Sequence, residues 1–215
     1  AVALVTDAAG VELAADSGLP ILIVDSPRGS LGALASWVYR TSEFEGQLFG
    51  VTGTNGKTTT VFLLHHLLTA LGQTAGLVGT VENRIGTERY ATQFTTPEAP
   101  ALQRLLRAMV EGSCSHAAME VSSHGLALDR VGGLAFDVAV FTNLTQDHLD
   151  YHRTFAEYEG AKKRLFDGLS EGAVAIVLLL SAGGLASLQS MVISTGLPFT
   201  VVLLLMCWAI WKGLR

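Results

Sequence analysis

The sequence has little charge, few cysteines and no excess of basic residues. Only 15% of its 215 residues are charged, whereas ordinary soluble domains contain about 25%. The net charge of -5 argues against a nucleic-acid-binding protein, which needs a basic surface. Two cysteines, Cys114 and Cys207, are too few for a disulfide framework and are typical of a reducing compartment. A hydrophobic content of 49% excludes a disordered, solvated chain.

The shortage of charge is concentrated near the end of the chain. Residues 172–211, a run of 40, contain no Asp, Glu, Lys or Arg. A transmembrane helix needs about 20 apolar residues, and a Gly-Leu-Pro break at residues 196–198 divides the run in two. Basic residues flank the run, which under the positive-inside rule puts both ends in the cytoplasm. We predict an α-helical transmembrane hairpin over residues 170–215, with membrane association through residues 173–211; a buried hairpin of a soluble core is the alternative.

The rest of the chain alternates short apolar runs with helical patterns, which is typical of a parallel α/β sheet. Residues 1–46 contain two such units and resemble the end of a domain whose beginning is absent. A second series follows. We expect its strands at residues 48–51, 75–81, 117–121 and 136–141, and its helices at residues 58–71, 99–110 and 154–169. The predicted fold class is therefore α/β with a parallel-rich sheet.

The strongest motif is Gly53-Thr-Asn-Gly-Lys-Thr-Thr59, between a predicted strand and a predicted helix. Backbone N–H groups at a helix N-terminus bind phosphate. Lys57 is placed to reach the β- and γ-phosphates of a nucleotide, and the hydroxyl of Thr58 to ligate Mg²⁺. The strict pattern needs glycine at position 51, where this chain has valine, so the match is to a shortened variant. A purely structural turn is the alternative.

Further polar residues follow the later strands. Glu120 ends one predicted strand, and His148 lies shortly after another. Open α/β sheets bind ligands at the carboxyl ends of their strands, and carboxylate oxygens suit Mg²⁺. Each residue alone has an ordinary alternative: a solvated acid for Glu120, a surface or core histidine for His148, and an exposed lysine for Lys162.

Five segments together resemble the Mur ligases, and most closely the MurE type. They are residues 53–59, 95–98, 119–126, 142–152 and 158–166. The resemblance implies three divisions of the chain: the last part of a UDP-substrate-binding domain over residues 1–46, a truncated central ATPase domain over residues 47–169, and the tail over residues 170–215. On this resemblance, we expect the family's carboxy-terminal domain to be absent.

The resemblance also implies the cofactors ATP and Mg²⁺ and a role for each matching residue. The implied catalytic residues are Lys57, Lys162 and His148. The implied ATP contacts are Gly53, Thr54, Asn55, Gly56, Lys57, Thr58, Thr59 and Asn143. The implied Mg²⁺ ligands are Thr58, Glu120, His148 and Lys162, the last in a carbamylated form. The implied contacts of the UDP-muramoyl-dipeptide are Thr95, Thr96, Ser122 and Arg130. Leu128 and Gln146 depart from the family pattern.

The implied reaction is ATP-dependent amide bond formation in the synthesis of peptidoglycan precursors. The γ-carboxylate of D-Glu in UDP-MurNAc-L-Ala-D-Glu would take the γ-phosphate of ATP, and the amine of a diamino acid would then displace phosphate from the acyl phosphate. The missing parts make the chain an incomplete ligase and leave its activity open. Which diamino acid it would take is likewise open.

The tail resembles a different family. Residues 183–189, 194–199 and 201–206 are similar to the last two transmembrane helices of the betaine/choline/carnitine transporters. The implied location is the cytoplasm for residues 1–169 and the inner membrane for the tail. Two alternatives to an incomplete ligase remain: a non-catalytic chimera of two proteins, and a membrane-tethered P-loop protein that binds a nucleotide for another purpose.

Overall fold

The computed structural model describes residues 1–169 and 172–177, together with Trp208 and Lys212. In these residues the strands are β1 (Leu4–Thr6), β2 (Ile21–Ile23), β3 (Gln47–Thr52), β4 (Ala75–Val78), β5 (Asn83–Ile85), β6 (Glu88–Tyr90), β7 (His116–Glu120), β8 (Val138–Phe141) and β9 (Val174–Val177). The helices are α1 (Ala8–Ala14), α2 (Pro27–Tyr39), α3 (Lys57–Ala70), α4 (Ala99–Glu111), α5 (Ser123–Ala127), α6 (Leu149–His152) and α7 (Phe155–Asp167).

The strands form two sheets. β1 and β2 pair in parallel as a small sheet, and the other seven form one sheet in the order β6-β5-β4-β7-β3-β8-β9. The pairs from β4 to β9 are parallel, and only β4–β5 and β5–β6 are antiparallel. The predicted α/β fold with a parallel-rich sheet is confirmed.

The large sheet is covered by helices on both faces. Every residue of β7 and all but the first of β3 are buried, as expected for central strands of a parallel sheet. One core joins Leu102 of α4 and Leu165 of α7 to one face, and a second core joins Leu64 and Leu68 of α3 to the other. This three-layer packing fixes the positions at which β3, β7 and β8 end.

The first 46 residues pack against the larger unit through α2. Gly32 is buried in this contact, and a Cβ atom added there would lie 2.1 Å from the carbonyl oxygen of Gly132. Thr41 donates a hydrogen bond to Oε1 of Gln103 on α4 at 2.5 Å. The two-stranded sheet is less covered, since the side chains of Leu22 and Ile23 are more than half exposed.

The predicted transmembrane hairpin is wrong where the structure describes its beginning. Val174–Val177 is a strand, paired with β8 from Val138↔Val174 to Phe141↔Val177. A short apolar run predicts a buried strand as readily as part of a helix, and here the ladder to β8 satisfies the backbone. No helix in the described ranges is long and apolar enough to cross a membrane. The rest of the hairpin prediction, from residue 178 onward, lies outside the described residues, except for Trp208 and Lys212.

Candidate functional site

The candidate site lies where three strands of the large sheet end side by side. In the register of the sheet, Val51 pairs with Glu120, and Thr52 pairs with Phe141. The segments that leave β3, β7 and β8 therefore start at the same edge. This edge is where open α/β sheets bind ligands. Motifs far apart in the sequence are brought together here.

Residues 53–56 form a loop that leads directly into α3. Gly53 has φ +145° and Gly56 has φ +85°, values that favour glycine. A Cβ atom at Gly53 would lie 1.9 Å from Oγ1 of Thr142, so the loop after β8 approaches too closely for any side chain. No side chain in the described part of the chain caps the N-terminus of α3. The first N–H groups of this 14-residue helix are therefore available to a ligand.

The loop after β8 holds residues 53–56 in place. Oγ1 of Thr142 donates a hydrogen bond to the carbonyl oxygen of Asn55 at 2.6 Å. Oδ1 of Asn143 accepts one from the backbone N–H of Asn55 at 3.0 Å, and its carbonyl oxygen accepts one from the N–H of Thr54 at 2.9 Å. Asn143, predicted to contact ATP, thus contacts the phosphate loop itself. The loop is preorganised before any ligand binds.

The close approach at Gly53 gives a test of this geometry. Replacing Gly53 by alanine is expected to lower the free energy of unfolding by at least about 2 kcal/mol more than Gly72→Ala. Gly72 also has positive φ, but a Cβ atom there meets nothing within 4 Å among the described residues. Gly72→Ala therefore introduces backbone strain without a steric clash. Urea unfolding of both variants measures the difference. Equal losses would contradict the clash.

Two lysines from different helices meet at the same carbonyl group. Nζ of Lys57 donates to the carbonyl oxygens of Gly53 and Thr54, both at 2.9 Å. Nζ of Lys162 donates to the carbonyl oxygen of Gly53 at 2.7 Å and lies 4.5 Å from the centre of the Tyr158 ring. Lys162 is only 2% exposed, so the ordinary alternative of an exposed lysine is wrong.

The surroundings of Lys162 favour its neutral form. Burial lowers the pKa of this amine, the neighbouring Lys57 ammonium lowers it further, and Asp147 opposes both, which leaves the pKa at about 7. Burial also lowers the pKa of Lys57, against the opposing effects of Glu120 and Asp147. A large fraction of Lys162 is therefore an unprotonated, nucleophilic amine near neutral pH.

Glu120 and Thr58 are the pair that fits a magnesium ion. Glu120 is fully buried, and its Oε2 accepts a hydrogen bond from the Thr58 hydroxyl at 2.9 Å. Thr80 donates to the same carboxylate from its N–H at 2.8 Å and from its hydroxyl at 3.1 Å. All three donors are neutral, so no side-chain cation among these contacts competes with a metal ion for the carboxylate. In nucleotide sites Mg²⁺ takes one or two carboxylates together with phosphate oxygens and water, and this donor set fits.

The other two predicted metal ligands make contacts with other groups. Lys162 is held at the carbonyl of Gly53, and His148 packs against His124 with ring centroids 5.0 Å apart. Within the described ranges, no group of three or more His, Cys, Asp and Glu side chains is arranged to hold a metal. The placement of His148 and Lys162 as ligands stays a prediction.

A cluster of the aromatic rings of His124, Tyr151 and His152 was not predicted from the sequence. The ring of His124 on α5 lies 5.5 Å from that of His152 and 4.2 Å from that of Tyr151, both on α6. Burial lowers the pKa of His124 and of His152, and the neighbouring histidines lower each further. The fold brings His124 into contact with His148 and His152, which lie more than 20 positions further along the chain.

The four residues predicted to bind the dipeptide substrate lie on the other side of Glu120. Oγ1 of Thr96 donates to the backbone carbonyl of Glu120 at 3.0 Å and accepts from the N–H of Ser122 at 2.9 Å. Nη1 of Arg130 donates to the carbonyl of Thr96 at 3.0 Å. Thr95 joins the group through the hydroxyl of Thr80 at 3.0 Å. The structure therefore brings all four together.

Arg130 stands beside a carboxylate that sequence reasoning gave no role. Its Nη2 lies 2.8 Å from Oε1 of Glu98, whose Oε2 lies 3.3 Å from Nη1 of Arg28 on α2. The ring of Phe94 covers the Arg130 guanidinium at 5.1 Å. Nε of Arg130 is buried and has no hydrogen-bond partner in the described part of the chain. Glu98 lay within a quoted motif, but its position between two arginines depends on the fold.

The fold and the geometry of the site define an α/β domain with a glycine-containing loop and an uncapped helix N-terminus at the carboxyl edge of its sheet. Comparison with known families identifies it further. Residues 51–189, more than half of the chain, match the Mur ligase middle domain. The chain belongs to the Mur ligase family.

Individual relatives agree with this assignment. The chain is 48% identical over 177 residues to the UDP-N-acetylmuramyl-tripeptide synthetase of Leifsonia xyli, covering 81% of this chain and 34% of that protein. It is 49% identical over 168 residues to the UDP-N-acetylmuramoyl-L-alanyl-D-glutamate--2,6-diaminopimelate ligase of Corynebacterium glutamicum, covering 77% and 32%. A solved structure of a ligase with the latter name superposes with a TM-score of 0.65 at 32% identity, covering 79% of this chain and 34% of that one. The chain thus spans about a third of the length of these relatives.

The family match also bears on the tail. It continues to residue 189, beyond the boundary at residue 170 that we predicted for a transporter-like segment. The first part of that segment therefore falls inside the ligase match, in agreement with the position of β9 in the large sheet. The transporter resemblance beyond residue 189 remains a prediction about residues that, apart from Trp208 and Lys212, lie outside the described part of the chain.

Proposed function

We propose that this chain is the nucleotide-binding part of an ATP-dependent ligase that adds a diamino acid to UDP-MurNAc-L-Ala-D-Glu. The observation that carries the proposal is the position of Glu120 between two groups of residues. Its side chain contacts Thr58 at the phosphate loop, and its backbone contacts Thr96 beside Arg130. The names of the relatives supply the reaction: two are ligases of UDP-N-acetylmuramoyl-L-alanyl-D-glutamate and 2,6-diaminopimelate.

The phosphate loop would bind ATP. The N–H groups at the start of α3 and Nζ of Lys57, which now donates to two backbone carbonyl oxygens, would donate to phosphate oxygens of the nucleotide. Thr58 and Glu120 would hold Mg²⁺, which when bound offsets charge on the transferring phosphoryl group. Catalysis of phosphoryl transfer is largely positioning and charge stabilisation, and a preorganised loop suits that requirement.

Lys162 would act in a modified form. Its matching position in the family resemblance is a carbamylated lysine, and its pKa of about 7 makes the neutral amine abundant enough to add to CO₂ with release of a proton. The product is an anion in place of a cation. It would remove the repulsion between Lys162 and Lys57 and give the site a second carboxylate-like group near the phosphates. His148, which follows β8, would be a further ligand of Mg²⁺, as the family resemblance implies.

Arg130 would bind a carboxylate of the peptide substrate, with Thr95, Thr96 and Ser122 around it. In this structure Nη2 of Arg130 pairs with Glu98, while Nε is buried and has no hydrogen-bond partner among the described residues. An unpartnered buried donor is costly and is satisfied when a ligand supplies an acceptor. A substrate carboxylate could take Nε and replace Glu98 in a bidentate contact.

Binding of two ligands tests this function. We expect the chain to bind both Mg-ATP and UDP-MurNAc-L-Ala-D-Glu in calorimetry, and Arg130→Ala to weaken the dipeptide ligand at least about tenfold, since a charged hydrogen bond is worth roughly 1.5–3 kcal/mol. Binding of Mg-ATP should not change. Arg107→Ala is the matched control, because Arg107 pairs with Glu43 and Glu111 on the outer side of α4.

The same titrations separate the alternatives. Binding of Mg-ATP without the dipeptide ligand would favour a P-loop protein with another task. Binding of neither ligand would leave only a non-catalytic chimera. We expect residues 1–169 to lie in the cytoplasm, where both ligands would be found; insertion of the tail in a membrane remains a prediction.

A further inference from the structure

A threonine that belongs to none of the recognised motifs connects the two halves of the candidate site. Thr80 is the second residue after β4, and its N–H and hydroxyl both contact the carboxylate of Glu120. The same hydroxyl lies 3.0 Å from Oγ1 of Thr95. Thr80 therefore touches the proposed metal ligand with one side of its hydroxyl and a proposed substrate contact with the other.

The backbone around Thr80 is held close to Glu120. A Cβ atom added at Gly79 would lie 2.6 Å from Oε1 of Glu120, so only glycine lets the chain approach the carboxylate this closely. The N–H of Thr80 is then fixed at 2.8 Å from Oε1. The hydroxyl of Thr80 is placed by the backbone. Thr80 is itself an exposed residue, so this arrangement does not serve to fill the core.

The single proton of the Thr80 hydroxyl makes the contacts interdependent. A hydroxyl donates one hydrogen bond and accepts others. The Thr80 hydroxyl donates toward both Oε2 of Glu120 and Oγ1 of Thr95, so these two acceptors share its one proton. The more strongly the carboxylate attracts this proton, the weaker is the hydrogen bond from Thr80 to Oγ1 of Thr95.

We propose that Thr80 is a positioning residue that couples the metal-nucleotide half of the site to the acidic-substrate half. The proposal rests on the function proposed above. A divalent cation on Glu120 weakens the carboxylate as an acceptor of the Thr80 hydrogen bond. The Thr80 proton then turns to Oγ1 of Thr95, and the Thr95 hydroxyl, polarised by this stronger bond, becomes a better donor to an oxygen of the anionic substrate. Metal-nucleotide binding thereby raises the affinity for the acidic substrate, and the reverse follows by linkage.

The test measures this coupling in the full 215-residue chain. The dissociation constant of UDP-MurNAc-L-Ala-D-Glu is measured by calorimetry with and without a saturating non-hydrolysable ATP analogue and Mg²⁺. We expect the nucleotide and Mg²⁺ to tighten dipeptide binding by about fivefold or more in the wild type. Thr80→Val keeps the N–H contact to Glu120 and the shape of the side chain but removes the hydroxyl, and should reduce the coupling to near onefold.

Two further variants identify the hydroxyl as the cause. Thr80→Ser keeps the hydroxyl and should retain the coupling. Thr87→Val removes the hydroxyl of another exposed threonine, in the turn between β5 and β6, and should behave as the wild type. Thermal unfolding of all the variants should be nearly unchanged, which a merely structural role of Thr80 would not allow.

The outcomes distinguish this inference from the proposed function. Wild-type coupling in Thr80→Val, or equal loss in Thr80→Val and Thr80→Ser, would overturn the role of the Thr80 hydroxyl and leave the proposed function standing. A wild type that binds both ligands without any coupling would do the same. A wild type that binds neither ligand would overturn both.

Discussion

Replacing Lys57 by alanine should weaken the binding of Mg-ATP by at least about 100-fold, which corresponds to about 2.7 kcal/mol. Lys57 is the first residue of α3, and its Nζ donates two hydrogen bonds to carbonyl oxygens of residues 53 and 54. On binding, these weak acceptors give way to charged phosphate oxygens, and charge-assisted bonds contribute roughly 1.5–3 kcal/mol each. Calorimetric titration of the chain with a non-hydrolysable ATP analogue and Mg²⁺ measures the loss.

The control for this experiment is Lys163→Ala. Lys163 lies on α7 next to the site residue Lys162, but its side chain is 71% exposed and pairs with Asp167. It carries the same charge and should leave nucleotide affinity within about twofold of the wild type. Unchanged affinity in Lys57→Ala would show that residues 53–59 form a structural turn and would remove the basis of nucleotide binding.

Replacing Lys162 by methionine should abolish a rise in stability with pH. The pKa of the Lys162 amine is about 7 in the folded chain and 10.5 as its ordinary value. Between these two values the unfolded chain binds a proton that the folded chain lacks, so the free energy of unfolding of the wild type rises with pH, by up to about 1.4 kcal/mol per pH unit from this group. Below about pH 7 the amine is protonated in both the folded and the unfolded chain, so it no longer makes the free energy of unfolding depend on pH.

Methionine has a similar length and no charge, so Lys162→Met should be more stable than the wild type at about pH 6, with the advantage shrinking toward about pH 9. Urea unfolding in buffer free of CO₂ measures the difference at each pH. Lys163→Met is the control and should follow the wild-type slope. A constant difference between Lys162→Met and the wild type would show that the Lys162 amine keeps its ordinary pKa in the folded chain.

The same variant tests the carbamate. With ¹³C-labelled bicarbonate near pH 8, the wild type should show a carbamate carbon signal by NMR, and Lys162→Met should lack it while Lys163→Met retains it. Carbamylation consumes the neutral amine, so it should become more complete as the pH rises through about 7. A wild type without this signal would contradict the modified role proposed for Lys162.

The central strands and helices were predictable from the sequence because their signals are local. The apolar runs at residues 48–51, 75–81, 117–121 and 136–141 correspond to β3, β4, β7 and β8. The shorter elements β5, β6, α5 and α6 were not predicted, since three to five residues carry too weak a periodicity. The strand β9 was mistaken for part of a membrane helix because it lies in a charge-free run and its pairing with β8 is not visible in the sequence.

The candidate site likewise has one part that could be predicted from the sequence and another that could not. The phosphate loop could be recognised from consecutive residues, because a glycine-rich turn and a helix N-terminus need only local sequence. Thr80, Glu98 and the ring of His124 could not, since each acts through a residue far along the chain. Lys162 is the clearest case, because the ordinary expectation for a lysine is exposure, and only the packing of α7 on the phosphate loop buries it.

By itself, the sequence determined the class of the fold, the phosphate loop and the resemblance to the Mur ligases, since these depend on consecutive residues and on spacing along the chain. The tertiary structure alone decided which residues share a site. Thr58 and Glu120 are 62 positions apart in the sequence, yet the parallel register of β3 and β7 puts them in hydrogen-bond contact. The lowered pKa of Lys162 and the junction at Thr80 likewise exist only after folding, because desolvation and hydrogen-bond sharing require neighbours that the fold supplies.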